Sequence, residues 1–209
     1  MGGIDKIFAP LGDTSVLECV AAVFDASPYI DHFVIVLTQD NVARGRHMLA
    51  EKNLSKLAKV VPGGLRRQDS VETGLKNLPP CKWVVIHDGA RPLVSEELII
   101  KGLEAARESG AAIAAVPVVD TIKSADENNY VNKTLDRSRL WTVQTPQVFR
   151  SDIIKEAYGN ATGDVTDDAA LVEALGYDVK LYMGAYDNIK LTTPSDLTLA
   201  ETLWQRKEG

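Results

Sequence analysis

Three short segments of the chain combine charged side chains with turn residues, and each could act on a phosphorylated ligand. The first, residues 62–70 (PGGLRRQDS), lies between a strand-like run and a helix-like run. Glycines let backbone N–H groups approach a ligand closely, and a helix N-terminus attracts anions. The two arginines of the segment favour an anion-binding loop, although an ordinary glycine turn with exposed arginines would have the same composition.

The second segment, residues 87–92 (HDGARP), follows the most apolar strand-like run. Ligands of open parallel sheets bind outside the carboxyl ends of the strands, and a carboxylate there can hold Mg²⁺ beside a triphosphate. Asp88 is therefore a candidate metal ligand. The alternative is that Asp88 pairs with Arg91 and only stabilises the turn. His87 is interpreted as a packed structural histidine.

The third segment, residues 187–190 (DNIK), ends in Lys190, whose ammonium group suits a phosphate. The threonines that follow are interpreted as a cap of the last helix, with Pro194 in its first turn. The chain shows no Ser-His-Asp order, no histidine-rich metal cage and no Walker A lysine motif. Catalysis would therefore rest on positioning and charge neutralisation, since a covalent mechanism is unsupported.

The elements that must position these segments follow a simple alternation of short apolar runs and amphipathic stretches. This alternation predicts an α/β fold with a mostly parallel sheet covered by helices. Asp69 or Ser70 is expected to cap the third helix, and Gly110 to end the fourth. Strands are predicted at 32–37, 58–61, 83–86, 111–119 and 179–183, and helices at 16–24, 41–51, 70–77, 95–109, 151–158, 167–175 and 194–204.

Residues 120–149 depart from this alternation because they are polar and rich in β-formers, with a turn at 126–129. They are predicted to form a hairpin or arm that leaves the main sheet. The sequence has no internal repeat and no low-complexity linker. Residues 1–209 are therefore predicted to form a single domain that includes the arm.

Composition restricts the class of protein. The 209 residues carry a net charge of −6, which argues against a general binder of nucleic acid or anionic membranes. No apolar run approaches the ~20 residues that span a bilayer, and the N-terminus lacks the apolar core of a signal peptide. A cytoplasmic protein is expected. Cys19 and Cys81 match no metal or redox spacing and are expected to be reduced, buried thiols.

Taken together, motifs along the chain resemble those of the 2-C-methyl-D-erythritol 4-phosphate cytidylyltransferase family. They span Lys6 to Leu199, and their order narrows the resemblance to this family and the related ribitol-5-phosphate cytidylyltransferases. The resemblance implies a Rossmann-like fold of the nucleotidyltransferase type, and transfer of CMP from CTP to a polyol phosphate with Mg²⁺ and release of pyrophosphate. The matching motifs are KIFAPLG, VVPGG, RRQDSV, HDGARP, PVVDTIK, LDRSRLW, TPQVF, TDDA, LVE, DNIKLTTP and DL.

The resemblance also implies roles for single residues. Lys6 resembles a lysine that neutralises the triphosphate, Lys190 a ligand of the reacting phosphates, and Asp88 the carboxylate on the Mg²⁺ side. In this family the arm pairs two subunits and completes the neighbouring site, so that two arm residues, Thr121 and Arg137, would act on the partner's substrate. The cytosine contacts would be Gly63, Gly64 and Ser70, and the polyol phosphate contacts would be Thr121, Arg137 and Arg91. Thr145 and Thr166 would be further substrate-binding residues.

One departure from the family pattern concerns the start of the chain. The family has a strand and a Gly-rich loop before the lysine that Lys6 resembles, whereas this sequence begins at Met1-Gly2. Either the sequence as given is incomplete at its N-terminus, which the presence of every other site motif favours, or the chain has lost its triphosphate cradle. We expect the chain as given to bind CTP weakly and to turn over slowly. Two other functions remain open at this point: a ribitol-5-phosphate cytidylyltransferase, and a catalytically silent nucleotide-binding dimer.

Overall fold

Helices and strands alternate along residues 6–208, the part of the chain that the computed structural model describes. The helices are α1 Val16–Ala26, α2 Val42–Ala50, α3 Arg67–Asn77, α4 Glu96–Ser109, α5 Ser151–Gly159, α6 Asp168–Ala174 and α7 Pro194–Glu208. The strands are β1 Pro10–Leu11, β2 Thr14–Ser15, β3 Phe33–Leu37, β4 Leu57–Pro62, β5 Trp83–Ile86, β6 Ala111–Pro117, β7 Lys123–Ala125, β8 Val131–Thr134, β9 Trp141–Arg150 and β10 Lys180–Met183. The expectation about Met1 and Gly2 falls outside the described residues.

The helix ends follow local capping chemistry. The Ser95 hydroxyl accepts a hydrogen bond from the Leu98 N–H at the start of α4, and Gly110 ends that helix with φ 84°, as predicted. The predicted cap of α3 was wrong. Its N-cap is Arg66, because the Asp69 carboxylate lies one turn inside the helix and accepts from the Arg66 N–H at 3.2 Å.

The main strands form a four-stranded sheet in the order β10-β6-β9-β5 and a separate pair, β3-β4. The neighbours β10 and β6 are parallel, as are β3 and β4, whereas β9 runs antiparallel to both β5 and β6. The α/β class is thus confirmed, with β9 as the one reversed strand among these six. Helices pack on the sheets through their apolar faces, which is how amphipathic helices bury their apolar stripe.

Strands β3 and β5 both line an apolar cavity of about 570 Å³. Among the described residues, β3 pairs only with β4, and β5 only with β9, so each has one edge that no strand covers. The cavity separates the two sheets. At one end it reaches Arg67, Ser70 and Asp88.

The segment 120–149 divides into two parts. Strands β7 and β8 form an exposed antiparallel hairpin. Most of β9, in contrast, is buried between β5 and β6. The part that projects from the main sheet therefore ends before the buried half of β9.

The two cysteines differ in exposure. Cys19 is buried and Cys81 is exposed, and neither forms a disulfide within residues 6–208. The prediction of a buried thiol is therefore confirmed for Cys19 and wrong for Cys81, which follows two prolines within the connection between α3 and β5.

Candidate functional site

The carboxyl ends of several strands place the three candidate segments at one edge of the fold. The turn after β5 is tied to the segment after β10 by two hydrogen bonds: Arg91 Nη1 donates to the Asn188 carbonyl at 2.7 Å, and the Leu191 N–H donates to the Ala90 carbonyl at 2.8 Å. The structure thus brings HDGARP and DNIK together across about 100 residues of sequence, as expected for ligand sites at strand ends.

Asp88 is the meeting point of these segments. Lys190 Nζ lies 2.8 Å from Asp88 Oδ2, and Arg67 Nε lies 3.0 Å from Asp88 Oδ1. Arg91 Nε is more distant, 3.9 Å from Oδ2. The alternative in which Asp88 serves only Arg91 therefore does not describe the site, because two closer cations bind the carboxylate.

The cations set the protonation state of Asp88. Burial raises the pKa of Asp88, but Arg67 and Lys190 lower it by a larger amount, so that it lies at about 2. An ionised carboxylate is thus maintained in a partly buried position. Burial lowers the pKa of Arg91, and the nearby Asp88 opposes this effect.

His87 and Thr145 hold the turn that carries Asp88. Because a carbonyl can only accept, the 3.1 Å contact between His87 Nε2 and the Arg91 carbonyl assigns the ring proton to Nε2. Nδ1 then accepts from the Thr145 hydroxyl at 3.1 Å, and that hydroxyl accepts from the Asp88 N–H at 3.0 Å. Burial lowers the pKa of His87 to about 4, so the ring is neutral. The structure thus supports the structural interpretation of His87.

The glycine loop after β4 places Gly63 and Gly64 close to the start of α3. A Cβ at Gly63 would lie 2.4 Å from Ser70 Oγ, and a Cβ at Gly64 would lie 2.2 Å from Asp69 Cβ. Neither contact is possible without a shift of the loop. Glycine is required at both positions because the loop packs closely against the Ser70 and Asp69 side chains.

Comparison with known proteins identifies the family. The family model described as 2-C-methyl-D-erythritol 4-phosphate cytidylyltransferase matches residues 1–206. A relative of that name from Dehalococcoides mccartyi is 50% identical over 206 residues, which cover 99% of this chain and 91% of the relative. Another from Alkaliphilus metalliredigens is 44% identical over 98% of this chain and 88% of the relative.

Solved structures agree. A 4-diphosphocytidyl-2C-methyl-D-erythritol synthase from Anaerococcus prevotii superimposes with a TM-score of 0.88 at 34% identity, covering 96% of this chain and 93% of that one. The cytidylyltransferase from Thermus thermophilus gives a TM-score of 0.80 at 34% identity, covering 97% and 95%. The chain belongs to the 2-C-methyl-D-erythritol 4-phosphate cytidylyltransferase family.

In this cytidylyltransferase family member, four candidate residues lie apart from the Asp88 cluster. Lys6 begins a short 3₁₀ turn, Lys6–Phe8, which packs against α1. Thr121 and Arg137 lie on the exposed arm, where the Arg137 guanidinium donates to the Val119 carbonyl. Thr166 is exposed in the loop before α6. Within one chain, these residues do not join Lys190 and Asp88.

Sequence reasoning missed one part of the cytidylyltransferase site. Arg67 Nη2 donates to Asp168 Oδ2 at 2.7 Å, and the Tyr158 hydroxyl donates to Asp168 Oδ1 at 2.6 Å. The arginine pair of the glycine loop was a signal for Arg67. Asp168 stands in the TDDA motif, where only Thr166 was given a role, and nothing in the sequence pointed to Tyr158.

The donor set near Asp88 limits how a divalent cation could be held. No group of three or more His, Cys, Asp or Glu side chains is gathered for a metal within residues 6–208. Mg²⁺ in phosphoryl-transfer enzymes takes one or two carboxylates and obtains its other ligands from phosphates and water. The single carboxylate of Asp88 fits that pattern. No helix in the described part of the chain is long and apolar enough to cross a membrane.

Proposed function

We propose that this chain transfers CMP from CTP to 2-C-methyl-D-erythritol 4-phosphate, with release of pyrophosphate, in non-mevalonate isoprenoid precursor biosynthesis. Family membership supports the reaction. The observation that carries the proposal is the convergence of Lys190 and Arg67 on Asp88, next to the glycine loop. Such a site offers charge neutralisation without a covalent nucleophile, as direct transfer between phosphates requires.

The chemistry joins two anions. A phosphate oxygen of the acceptor attacks the α-phosphorus of CTP, the bond from that phosphorus to the bridging oxygen breaks, and pyrophosphate leaves with the electron pair. Lys190 Nζ exchanges Asp88 Oδ2 for phosphate oxygens and offsets the repulsion between the reactants. Lys6 supplies a second positive charge to the triphosphate.

The other candidate residues bind the base, the metal or the acceptor. Gly63, Gly64 and Ser70 bind cytosine, largely through backbone groups. Asp88 holds Mg²⁺, which when bound polarises the reacting phosphates. Arg91 and Thr145 either contact the polyol phosphate or hold in place the turns that contact it. The second role is supported by the hydrogen bonds of Arg91 to the Asn188 carbonyl and of Thr145 to His87. Thr166 lies on the acceptor side.

The arm supports a homodimer in which Thr121 and Arg137 reach the partner's acceptor. It exposes large apolar side chains, including Tyr130 at 73% and Val131 at 61%, and exposed apolar patches of this kind are typical of interfaces. The proposed location is the cytoplasm, which fractionation of cells would test.

The reaction is tested by release of pyrophosphate from radiolabelled CTP with Mg²⁺ and 2-C-methyl-D-erythritol 4-phosphate, compared with ribitol 5-phosphate. The methylerythritol substrate is expected to be preferred. Lys190→Ala should lower kcat on the order of 100-fold, whereas Lys155→Ala, on the exposed face of α5, should not. A preference for ribitol 5-phosphate would show that the acceptor is ribitol 5-phosphate and not the methylerythritol substrate. Binding of CTP without turnover would indicate a catalytically silent nucleotide-binding protein.

Subunit sharing is tested by mixing Lys190→Ala with Arg137→Ala chains. If Arg137 acts on the partner's site, each mixed dimer contains one site with both residues intact, so random pairing should restore about a quarter of wild-type activity. If Arg137 acts within its own chain, no site has both residues and mixing restores nothing.

A further inference from the structure

Arg67, the first residue of α3, contacts two carboxylates from different parts of the fold. Its Nε lies 3.0 Å from Asp88 Oδ1, and its Nη2 lies 2.7 Å from Asp168 Oδ2. The planar guanidinium presents its donors at fixed angles, so binding at one side orients the other. Arg67 therefore relates the position of Asp88 to that of Asp168.

Asp168 is the fixed end of this connection. Its side chain is 1% exposed, and its second oxygen accepts the Tyr158 hydroxyl at 2.6 Å. Each oxygen of this buried carboxylate thus has a strong donor, as a buried charge requires. A carboxylate held in this way anchors the guanidinium more firmly than an exposed partner could.

Asp88 is the end that faces the chemistry. Its Oδ1 is bound by Arg67, whereas its Oδ2 is bound by Lys190, whose side chain is 40% exposed. If Lys190 turns to a phosphate, Oδ1 keeps its bond to Arg67, whereas Oδ2 keeps only the longer 3.9 Å contact with Arg91 Nε. The two oxygens of one carboxylate are thereby given different tasks.

We propose that Arg67 is a positioning residue for CMP transfer, anchored by Asp168 and Tyr158, which fixes one oxygen of Asp88 so that the other faces the reacting groups. This inference rests on the proposed function. It assigns a catalytic consequence to two residues, Asp168 and Tyr158, that touch neither Asp88 nor Lys190 in the structure.

Arg67→Lys separates positioning from charge. A lysine keeps the positive charge but cannot donate to both carboxylates from a planar fork, and the buried Asp168 would retain it. We expect kcat to fall about 10- to 100-fold, as for other residues that orient a ligating group, with KM for CTP nearly unchanged. Arg150→Lys, a matched change at an exposed ion pair with Asp152, should alter neither constant.

Tyr158→Phe tests the anchor without changing any charge. Loss of its hydroxyl loosens Asp168, and kcat is expected to fall roughly threefold to tenfold. In a chain that already carries Arg67→Lys, the same change should cause no further loss, because both act through Asp88. Equal losses in the two backgrounds would show that Tyr158 acts independently and would overturn the proposal.

Two further results would also overturn it. If Arg67→Lys raises KM for CTP and spares kcat, Arg67 binds the nucleotide directly. If a crystal structure of that variant shows the Asp88 carboxylate in its original position, Arg67 does not position it. The crystallographic comparison does not depend on turnover. Absence of CMP transfer in the wild-type chain would therefore refute the proposed function, whereas the position of Asp88 in the variant would still test the role of Arg67. Urea denaturation of each variant separates these effects from loss of folding.

Discussion

Asp88→Asn tests whether the candidate site contributes to the stability of the fold. Arg67 and Lys190 more than offset the effect of burial and hold the pKa of Asp88 at about 2, against an ordinary value of 3.8. A difference of this size corresponds to about 2 kcal/mol of stabilisation of the ionised form. Asparagine keeps an oxygen that can accept from Arg67, so the substitution removes the charge with little change of shape. We expect the free energy of unfolding at pH 7 to fall by about 2 kcal/mol.

The effect should depend on pH with a defined sign. Because the pKa is lower in the folded chain, Asp88 stabilises the fold above the pKa of the unfolded chain, and this contribution is lost as the pH falls through about 2. The difference between wild type and Asp88→Asn should therefore be constant from pH 7 to about pH 5, and roughly half of it should remain near pH 3.

Urea denaturation in metal-free buffer, without nucleotide, measures both quantities. Asp13→Asn, at an exposed carboxylate, is the matched control and should show no comparable loss at any pH. A variant as stable as wild type at pH 7 would refute the reasoning, since the cations would then not stabilise the Asp88 charge. A loss that stays constant from pH 7 to pH 3 would refute it as well, because it would arise from something other than ionisation.

Three other substitutions test the remaining parts of the structure. Gly64→Ala places a Cβ 2.2 Å from Asp69 Cβ and so displaces the loop. In steady-state assays, KM for CTP should rise about tenfold or more while KM for the acceptor changes little. Equal rises in the two KM values would contradict a role of the loop in nucleotide binding. Arg137→Ala should raise KM for the polyol phosphate more than KM for CTP, and an unchanged KM would remove it from the acceptor site. Gly110→Ala, at φ 84° and 2.6 Å from a buried isoleucine, should lower the free energy of unfolding by about 1–3 kcal/mol. Gly163→Ala, also at positive φ but with open space around it, isolates the strain from the clash.

The parts of the fold that the sequence predicted well are those fixed by local chemistry. Strand β5 was predicted with its observed limits because a short apolar run between turn residues has few alternatives. The end of α4 at Gly110 was predicted because a positive φ favours glycine. The start of α3 was not, since both Asp69 and Ser70 are good capping residues and only the backbone path shows that Asp69 lies inside the helix.

Strand β9 was assigned to the arm because it looks polar. Its buried half contains Gln144 and Gln147, which a binary pattern places outside a core. In the structure, Gln144 donates to the Ala185 carbonyl at 2.9 Å and Gln147 to Asp167 at 2.9 Å. Both amide nitrogens thus have acceptors, whereas the buried Gln147 Oε1 has no hydrogen-bond partner within residues 6–208. Acceptors about 20 to 41 residues away in sequence cannot be identified from a local pattern.

The candidate site shows the same limit. Lys190 was identified as a candidate phosphate ligand and Asp88 as a candidate metal ligand. Both residues follow predicted strands, and strand ends share one edge of a sheet. Their contact at 2.8 Å joins residues about 100 positions apart. The Arg67–Asp168–Tyr158 connection could not be inferred, because it depends on how α5, α6 and α3 pack, and no periodicity encodes that packing.

The negative net charge of the chain and its cationic site are consistent with one another. Arg67, Lys190 and Arg91 lie within 4 Å of a single carboxylate, Asp88, in a chain of net charge −6. These three cations outnumber the two carboxylates they contact, Asp88 and Asp168, and leave a local positive charge that a polyphosphate can neutralise, while the acidic surface adds no affinity for long polyanions. Without ligand, Asp88 acts as the counterion that keeps these cations in place. A phosphate that replaces Asp88 as the partner of Lys190 therefore finds the donors already gathered, which is the condition under which fixed charges stabilise a transition state without reorganisation.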